Sequence, residues 1–280
     1  MRINSGYSFS QWIAFVIYIH FIINYLIFKI MELKQANRKQ AIMKMALQGL
    51  SSSGKSLSAL LIAKGMCNGD LSKCAVIDTE NSIELYSHVG KFNVLKLSPP
   101  FSPQRYIEAI KACEDTPGIE VIIIDSISHC WNYLLQAHAA LQGNSFTNWQ
   151  KISPVHNAFV QRIMDSPCNI ICTIRSKQDF LMQTVAGKTT IEKTGLRPIQ
   201  RIGIEYDFTT VFEIGLNHQA KTIKDRSGLF LDLPAFMITE ETGKRINEWC
   251  NPFHIQEDAK AMIINNLKVS QNGNFRSIAN

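Results

Sequence analysis

The sequence lacks the cysteine patterns that mark a disulfide-stabilised or zinc-binding protein. Its seven cysteines are odd in number, and they form neither a CxxC pair nor a cysteine–histidine cluster at zinc-ligand spacing. Most of them lie within apolar patterns typical of helices and strands. We therefore expect reduced, buried thiols in a cytoplasmic protein, because disulfides persist mainly in oxidising compartments.

Charge is also scarce, and little of the net charge belongs to the body of the chain. Charged residues make up 19% of the 280 residues, and the hydrophobic content of 46% is enough for one sizeable core. These values, with few low-complexity runs, argue against a disordered protein. Residues 1–44 hold six basic residues and one acidic residue, and so carry most of the formal net charge of +6. Overall basicity is therefore no evidence that the body binds nucleic acid.

A long apolar run lies near the N-terminus. Residues 12–28 read WIAFVIYIHFIINYLIF, roughly 26 Å of helix, which is marginally enough to cross a bilayer and would leave the body in the cytoplasm. A secretory signal fits less well, since no small-residue cleavage site follows. An upstream translated extension is the other interpretation, and the ordinary soluble sequence from Met31 favours it. We divide the chain into this segment (1–30), a body (31–255), and a C-terminal helix and tail (256–280).

The most specific motif lies between a short apolar strand and a helix. Residues 44–65 read KMALQGLSSSGKSLSALLIAKG and contain the pattern G-x-x-x-x-G-K-[ST]. In such a loop the backbone N–H groups and the helix N-terminus hold phosphates, and the lysine reaches the outer phosphates. A serine-rich capping loop with a chance lysine is the alternative. The predicted phosphate-binding residues are Gly49, Ser51, Ser52, Ser53, Gly54, Lys55, Ser56 and Leu57.

Two residues predict a magnesium site. Ser56 would place its hydroxyl on Mg²⁺. The run GIEVIIIDS (118–126) is typical of a central parallel strand buried on both faces, and it ends in Asp125. An aspartate at this place in a P-loop protein usually holds the magnesium through water. The alternative is that Asp125 only caps the next helix.

Strands and helices alternate through the body. Apolar strand patterns at 74–80, 91–97, 118–126 and 169–180 are separated by helical patterns, which predicts a mainly parallel sheet flanked by helices. Beyond Phe180 the pattern changes to a hairpin or mobile loop followed by two further strands. The predicted fold class is therefore α/β, with antiparallel strands toward the C-terminus.

The only basic concentration in the body lies at 175–201. Its charged residues are Arg175, Lys177, Lys188, Lys193, Arg197 and Arg201, against Asp179 and Glu192. Two interpretations of this segment remain: a solvated charged loop, or a contact with polyphosphate or single-stranded DNA. Phe180, Tyr206 and Phe208 are the only aromatic residues near it in the chain for base stacking.

The segments GLSSSGKS, VIDTE, VIIIDS and ICTIRSKQ follow one another in the order and rough spacing of a RecA-like P-loop ATPase core, which the chain resembles. The resemblance implies ATP and Mg²⁺ as ligands. It also implies that Glu80 activates the attacking water, that Asp125 is the Walker-B aspartate, and that Gln178 or Arg175 senses the γ-phosphate.

The segment IKDRSG (223–228) resembles the K-N-R-x-G element of bacterial hexameric helicases and their RecA-like relatives. The resemblance implies that Lys224 and Arg226 reach the ATP of a neighbouring subunit, with Asp225 in place of the asparagine. The protein would then be a homo-oligomer, as a ring or a filament. A surface turn is the alternative.

Over residues 43–250 the chain resembles the single-domain ATP-binding proteins of bacteriophages and prophages, which are grouped with RecA-like AAA ATPases. This resemblance implies an ATPase that acts in DNA recombination or replication. A nucleotide-dependent switch or loader that binds a partner protein and hydrolyses slowly is the alternative, and the nearly neutral body favours it. A membrane-tethered ATPase would depend wholly on residues 12–28.

Overall fold

The computed structural model describes residues 41–252 apart from 186–187, with the side chains of 181–194 left out, and also Ile13, Phe15, Tyr18 and Ile19. The chain divides into two units, Met1–Arg38 and Lys39–Asn280. Among the described residues, no helix is both long enough and apolar enough to span a bilayer. Most of the apolar run at 12–28 and all of the predicted tail at 256–280 lie outside the described residues.

A nine-stranded sheet forms the centre of the described part of the second unit. Its strands are β1 (Lys44–Gly49), β2 (Cys74–Asp78), β3 (Asn93–Lys96), β4 (Val121–Asp125), β5 (Asn169–Val185), β6 (Lys188–Pro198), β7 (Thr210–Ile214), β8 (Gln219–Asp225) and β9 (Phe236–Met237). Neighbouring strands follow the order β3-β2-β4-β5-β1-β7-β8-β9, and β6 pairs with β5. The pairs among β3, β2, β4, β5, β1 and β7 are parallel, whereas β6, β8 and β9 pair antiparallel with their neighbours.

Helices cover both faces of this sheet. They are α1 (Lys55–Met66), α2 (Pro103–Glu114), α3 (Ser128–Ala139), α4 (Ser145–Asp165) and α5 (Glu240–Cys250). Successive side chains of β1 point to opposite faces. Met45 and Leu47 pack with residues of α1 and α5, whereas Ala46 packs with residues of α2 and α4. Because both faces of the central strands are buried, those strands read as continuous apolar runs. The predicted α/β class is confirmed.

Two glycines let α5 approach the helix that follows β1. A Cβ atom on Gly65 of α1 would overlap the carbonyl oxygen of Glu240, and one on Gly243 of α5 would overlap that of Ile62. Only glycine allows backbones to approach this closely. The helix α5 is therefore held directly against α1.

Two local predictions can be compared with the structure. The segment after Phe180 is a long hairpin, β5–β6, and the two further strands are β7 and β8. All seven cysteines are buried, as predicted.

Candidate functional site

The C-terminal ends of the parallel strands bring most of the predicted site residues to one edge of the sheet. Gly49 ends β1 and is paired with Arg175 of β5 on one side and Ile214 of β7 on the other. Asp78, which ends β2, is paired with Asp125, which ends β4. Ligands of open α/β sheets bind at this edge. The sheet order therefore makes neighbours of residues far apart in the chain.

The loop after β1 has the strand–turn–helix layout that its motif requires. A Cβ atom on Gly49 would lie 2.5 Å from the Ile214 carbonyl oxygen and 2.6 Å from Ser53 Oγ, so no larger residue fits there. Ser52 and Gly54 adopt φ angles of 64° and 93°. α1 begins at the next residue with no side-chain cap. The N–H groups of its first turn are thus left to an anion.

Lys55 lies against this loop, close enough to the other charged site residues for their charges to affect its pKa. Its Nζ donates a hydrogen bond to the Leu50 carbonyl oxygen at 2.6 Å. Burial lowers the pKa of Lys55, while the nearby carboxylates of Asp125 and Glu80 act to raise it and Arg175 acts to lower it. The Lys55 ammonium group therefore interacts electrostatically with both carboxylates that were predicted as site residues, Asp125 and Glu80.

Asp125 carries a buried oxygen without a hydrogen-bond partner among the described residues. The residue is 2% exposed, and its Oδ1 accepts a hydrogen bond from Thr173 Oγ1 at 2.5 Å. Its Oδ2 has no hydrogen-bond partner among the described residues. Burial raises the pKa of Asp125, against the opposing effect of the Ser56 and Thr173 hydroxyls. A buried unpaired carboxylate oxygen is costly, and a hard cation is a suitable partner for it. The hydroxyl and carboxylate of Ser56 and Asp125 are thus a donor set that fits Mg²⁺.

Glu80 is held by a two-pronged ion pair. Arg175 Nε donates to Glu80 Oε1 at 2.6 Å, and Arg175 Nη2 contacts Oε2. Ser126 Oγ, in a residue joined to Asp125 by a cis peptide bond, donates to Oε1 at 3.0 Å. Burial acts to raise the pKa of Glu80, but the Arg175 guanidinium outweighs it and holds that pKa below its ordinary value. Glu80 is therefore ionised at neutral pH.

Asp78, the other carboxylate of the VIDTE segment, has a different role. Its Oδ1 accepts hydrogen bonds from the N–H groups of Glu80 and Asn81, at 2.8 and 2.9 Å. Its Oδ2 accepts from the Ile83 N–H at 3.3 Å. These bonds shape the turn that carries Glu80, so Asp78 positions the neighbouring carboxylate.

Two threonines of the site were missed from the sequence. Thr79 Oγ1 donates to the Asp125 carbonyl oxygen at 3.0 Å and accepts from the Ser126 N–H at 2.9 Å, which ties the ends of β2 and β4 together. Thr173 supports Asp125 by donating its hydroxyl to Oδ1. A signal existed for Thr173, since it is a polar residue within the apolar run of β5.

The two candidates for contact with the γ-phosphate lie in different surroundings. Arg175 is beside Gly49 and bound to Glu80. Gln178 lies farther along β5, where its Nε2 donates to the Gly195 carbonyl oxygen at 2.7 Å and to that of Asp179 at 3.2 Å. Of the two, the structure brings only Arg175 to the site edge.

Lys224 and Arg226 lie away from their own phosphate loop. In the β7–β8 ladder, Ala220 pairs with Ile214, the neighbour of Gly49, and Lys224 pairs with Val211 farther back along the strand. Lys224 Nζ donates to the Glu205 and Tyr206 carbonyl oxygens at 2.8 and 2.6 Å, and Arg226 donates to that of Tyr206 at 2.7 Å. Neither is among the residues gathered around Lys55.

Histidines of α3 and α4 make packing and hydrogen-bond contacts. His129 Nδ1 lies 2.8 Å from Thr79 Oγ1, and its ring stacks on Phe101. His156 Nε2 lies 3.0 Å from Gln200 Oε1. His138 stacks on Trp149.

Comparison with known proteins agrees with this geometry. A family model described as an AAA domain matches residues 41–246, more than half of the chain. No curated protein matches the sequence. The matched range includes the loop at 49–56, Glu80 and Asp125, which the fold brings to one edge of the sheet. The chain therefore belongs to the AAA domain family of P-loop ATPases.

Proposed function

We propose that the protein is a magnesium-dependent ATPase of the RecA type. The observation that carries this proposal is the meeting of three groups at one sheet edge: the Lys55 ammonium, the unpartnered Asp125 oxygen and the ionised Glu80 carboxylate. A phosphate-binding loop alone would serve many reactions. A carboxylate held beside it provides a base that can orient and deprotonate water.

Each residue has a defined task in this proposal. The N–H groups of the loop and of the first turn of α1 bind the phosphates, and Lys55 exchanges the Leu50 carbonyl for a phosphate oxygen. Ser56 and Asp125 would hold Mg²⁺, which when bound neutralises charge on the phosphate oxygens. Glu80 orients the attacking water and accepts its proton, and Arg175 exchanges part of its contact with Glu80 for the γ-phosphate.

The test is phosphate release by the purified chain with ATP and Mg²⁺. We expect steady hydrolysis that stops when EDTA removes the metal and returns when excess Mg²⁺ is added. The reason is that Asp125 Oδ2 has no other partner among the described residues. Equal rates with and without EDTA would contradict the metal site, and an absence of hydrolysis under all conditions would contradict the ATPase.

We further propose that Lys224 and Arg226 act on the ATP of a neighbouring subunit in a ring or filament. Their distance from their own loop along the β7–β8 ladder supports this role. The resemblance to phage and prophage ATP-binding proteins supports a place in DNA recombination or replication, with single-stranded DNA as a partner. A cytoplasmic location is part of the same proposal.

A shared active site makes activity depend on assembly. Activity per molecule of the unmodified protein should rise with protein concentration. Arg226→Ala should abolish this rise, whereas Lys221→Ala, on the strand that Arg226 directly follows, should not. A mixture of Arg226→Ala and Lys55→Ala should regain activity, since the second variant supplies the finger and the first supplies the loop. A strictly linear dependence on concentration with no rescue would contradict the role of Arg226.

A nucleotide-dependent switch or loader with slow hydrolysis is the second candidate. The Arg175–Glu80 pair favours it, because both carboxylate oxygens of the base are already engaged. A switch would release this pair only when its partner protein binds. Single-stranded DNA that fails to stimulate hydrolysis at low salt, where phosphate contacts are strongest, would favour the switch.

A further inference from the structure

A cavity of about 650 Å³ lies outside the phosphate site, between α3, α4 and the base of the β5–β6 hairpin. Its lining includes two tryptophans, three basic residues and one exposed isoleucine: Trp131, Trp149, Lys177, Arg197, Arg201 and Ile202. This volume falls within the range of sites that hold small organic ligands. None of the residues assigned to phosphate or metal binding lines it.

The aromatic wall of the cavity is built from two helices. The rings of Trp131 in α3 and Trp149 in α4 have centroids 5.8 Å apart and planes inclined by 19°. Trp149 also stacks on His138, with centroids 4.2 Å apart. Both tryptophans are only half-buried. The sequence did not predict that these two tryptophans lie beside the hairpin. It indicated only the aromatic residues that are near the hairpin along the chain.

The opposite wall is basic, and its charges are not balanced within the cavity. Lys177 and Arg197 face one another directly across the β5–β6 ladder. Like charges in this position are destabilising unless an anion lies between or beside them. Arg201 donates to Asn157 Oδ1 at 2.9 Å, a neutral partner. Among the described residues, none of the cavity-lining side chains is acidic, and Asp179, two residues beyond Lys177, is not part of the lining.

We infer that this cavity binds single-stranded DNA, with a base stacked on the tryptophan wall and the phosphates on Lys177, Arg197 and Arg201. Stacking platforms combined with basic grooves bind single strands largely without regard to sequence. In duplex DNA the base faces are already stacked on their neighbours, so the tryptophans select an unpaired strand. The inference takes its partner class from the proposed function and gives that partner a site.

The cavity is connected to the catalytic edge through the backbone. Ile199 in its lining donates its N–H to the Arg175 carbonyl oxygen at 2.7 Å, and Arg175 holds Glu80. Gln200, also in the lining, donates to the Ile127 carbonyl oxygen at 3.3 Å, two residues after the Asp125 strand end. A strand bound in the cavity therefore contacts the segment that positions Arg175.

The test measures DNA binding without nucleotide, so it does not depend on hydrolysis. Fluorescence anisotropy of a labelled oligo-dT should show binding by the full chain at low salt, with quenching of tryptophan emission. Trp131→Ala should weaken binding roughly five- to 100-fold, as loss of one stacked base does. Trp131→Phe should retain most of the affinity. Arg197→Glu should weaken binding at least about tenfold and lower the slope of log K against log salt.

A matched control shows whether the loss of binding is specific to this cavity. Lys111→Glu, an exposed charge reversal on α2, should bind like the unmodified protein and keep its melting temperature and basal ATPase rate. The cavity variants should keep the far-ultraviolet circular dichroism spectrum of the folded protein. Unchanged binding in both Trp131→Ala and Arg197→Glu would overturn the inference. So would equal affinity for duplex DNA, or a change in oligomeric state with Trp131→Ala, which would mark the cavity as a subunit contact. DNA binding without ATP hydrolysis would overturn the proposed function alone.

Discussion

Replacement of Lys55 by alanine is expected to abolish ATP turnover. Lys55 is the charged side chain of the loop, and it lies partly buried among Asp125, Glu80 and Arg175. Its removal takes away the cation that reaches the outer phosphates and leaves two carboxylates facing them. Loss of one preorganised donor to a developing charge typically costs about 100- to 1,000-fold in rate. We expect at least this loss, together with weaker ATP binding.

The measurement is phosphate release at saturating ATP and Mg²⁺, with ATP affinity taken from a fluorescent analogue. Lys64→Ala is the matched control, because Lys64 lies in the same helix and its ion pair with Glu240 at 3.2 Å is partly exposed and adds little to stability. The control should keep its rate. If Lys55→Ala hydrolysed ATP at close to the rate of the unmodified protein, the phosphate loop would have no part in the reaction.

Glu80→Gln is expected to separate binding from hydrolysis. Glutamine keeps the size and one oxygen of glutamate but cannot accept the proton of the attacking water. General base catalysis contributes about 100- to 10,000-fold, so turnover should fall by a factor in this range. ATP affinity should change little, because the phosphates are held by the loop and by Lys55. The variant should therefore accumulate with ATP bound.

Single-turnover hydrolysis and ATP binding, measured on the same preparation, distinguish the two effects. Glu84→Gln is the matched control, since Glu84 is largely exposed and pairs with Lys96 at 2.7 Å rather than with Arg175. It should hydrolyse ATP at the unmodified rate. Equal rates for Glu80→Gln and the unmodified protein would show that Glu80 is not the base. Loss of ATP binding would instead place Glu80 in nucleotide recognition.

The local parts of the site could be predicted from the sequence because they depend on short segments. Gly49, Gly54 and Lys55 occupy a spacing that only works between a strand and a helix. Asp125 ends an unusually long apolar run, which marks a strand buried on both faces. The α/β class followed from the alternation of such runs with helical patterns. Each of these signals is contained within about 20 residues.

The contacts between segments were decided by the strand order. β5 lies between β1 and β4, so Arg175 meets Glu80, 95 positions earlier in the chain, and Thr173 meets Asp125. From the sequence, Arg175 was one charge of a basic segment and one of two candidates for sensing the γ-phosphate. In the fold, Arg175 forms an ion pair with the proposed base, Glu80. Because one of its basic residues is already paired, the segment 175–201 is less able to bind an anion than its composition indicates.

The sequence by itself determined that a phosphate loop, two strand-end carboxylates and a basic hairpin exist in this protein. Only the tertiary structure decided the surroundings of each feature. Asp125 Oδ2 has no hydrogen-bond partner among the described residues, and Glu80 is held by an ion pair with Arg175. Two tryptophans lie in the same cavity as Lys177 and Arg197. The physical reason is that residue type and spacing fix local conformation and chemistry. Which groups share one volume depends on the order of strands and the packing of helices over them.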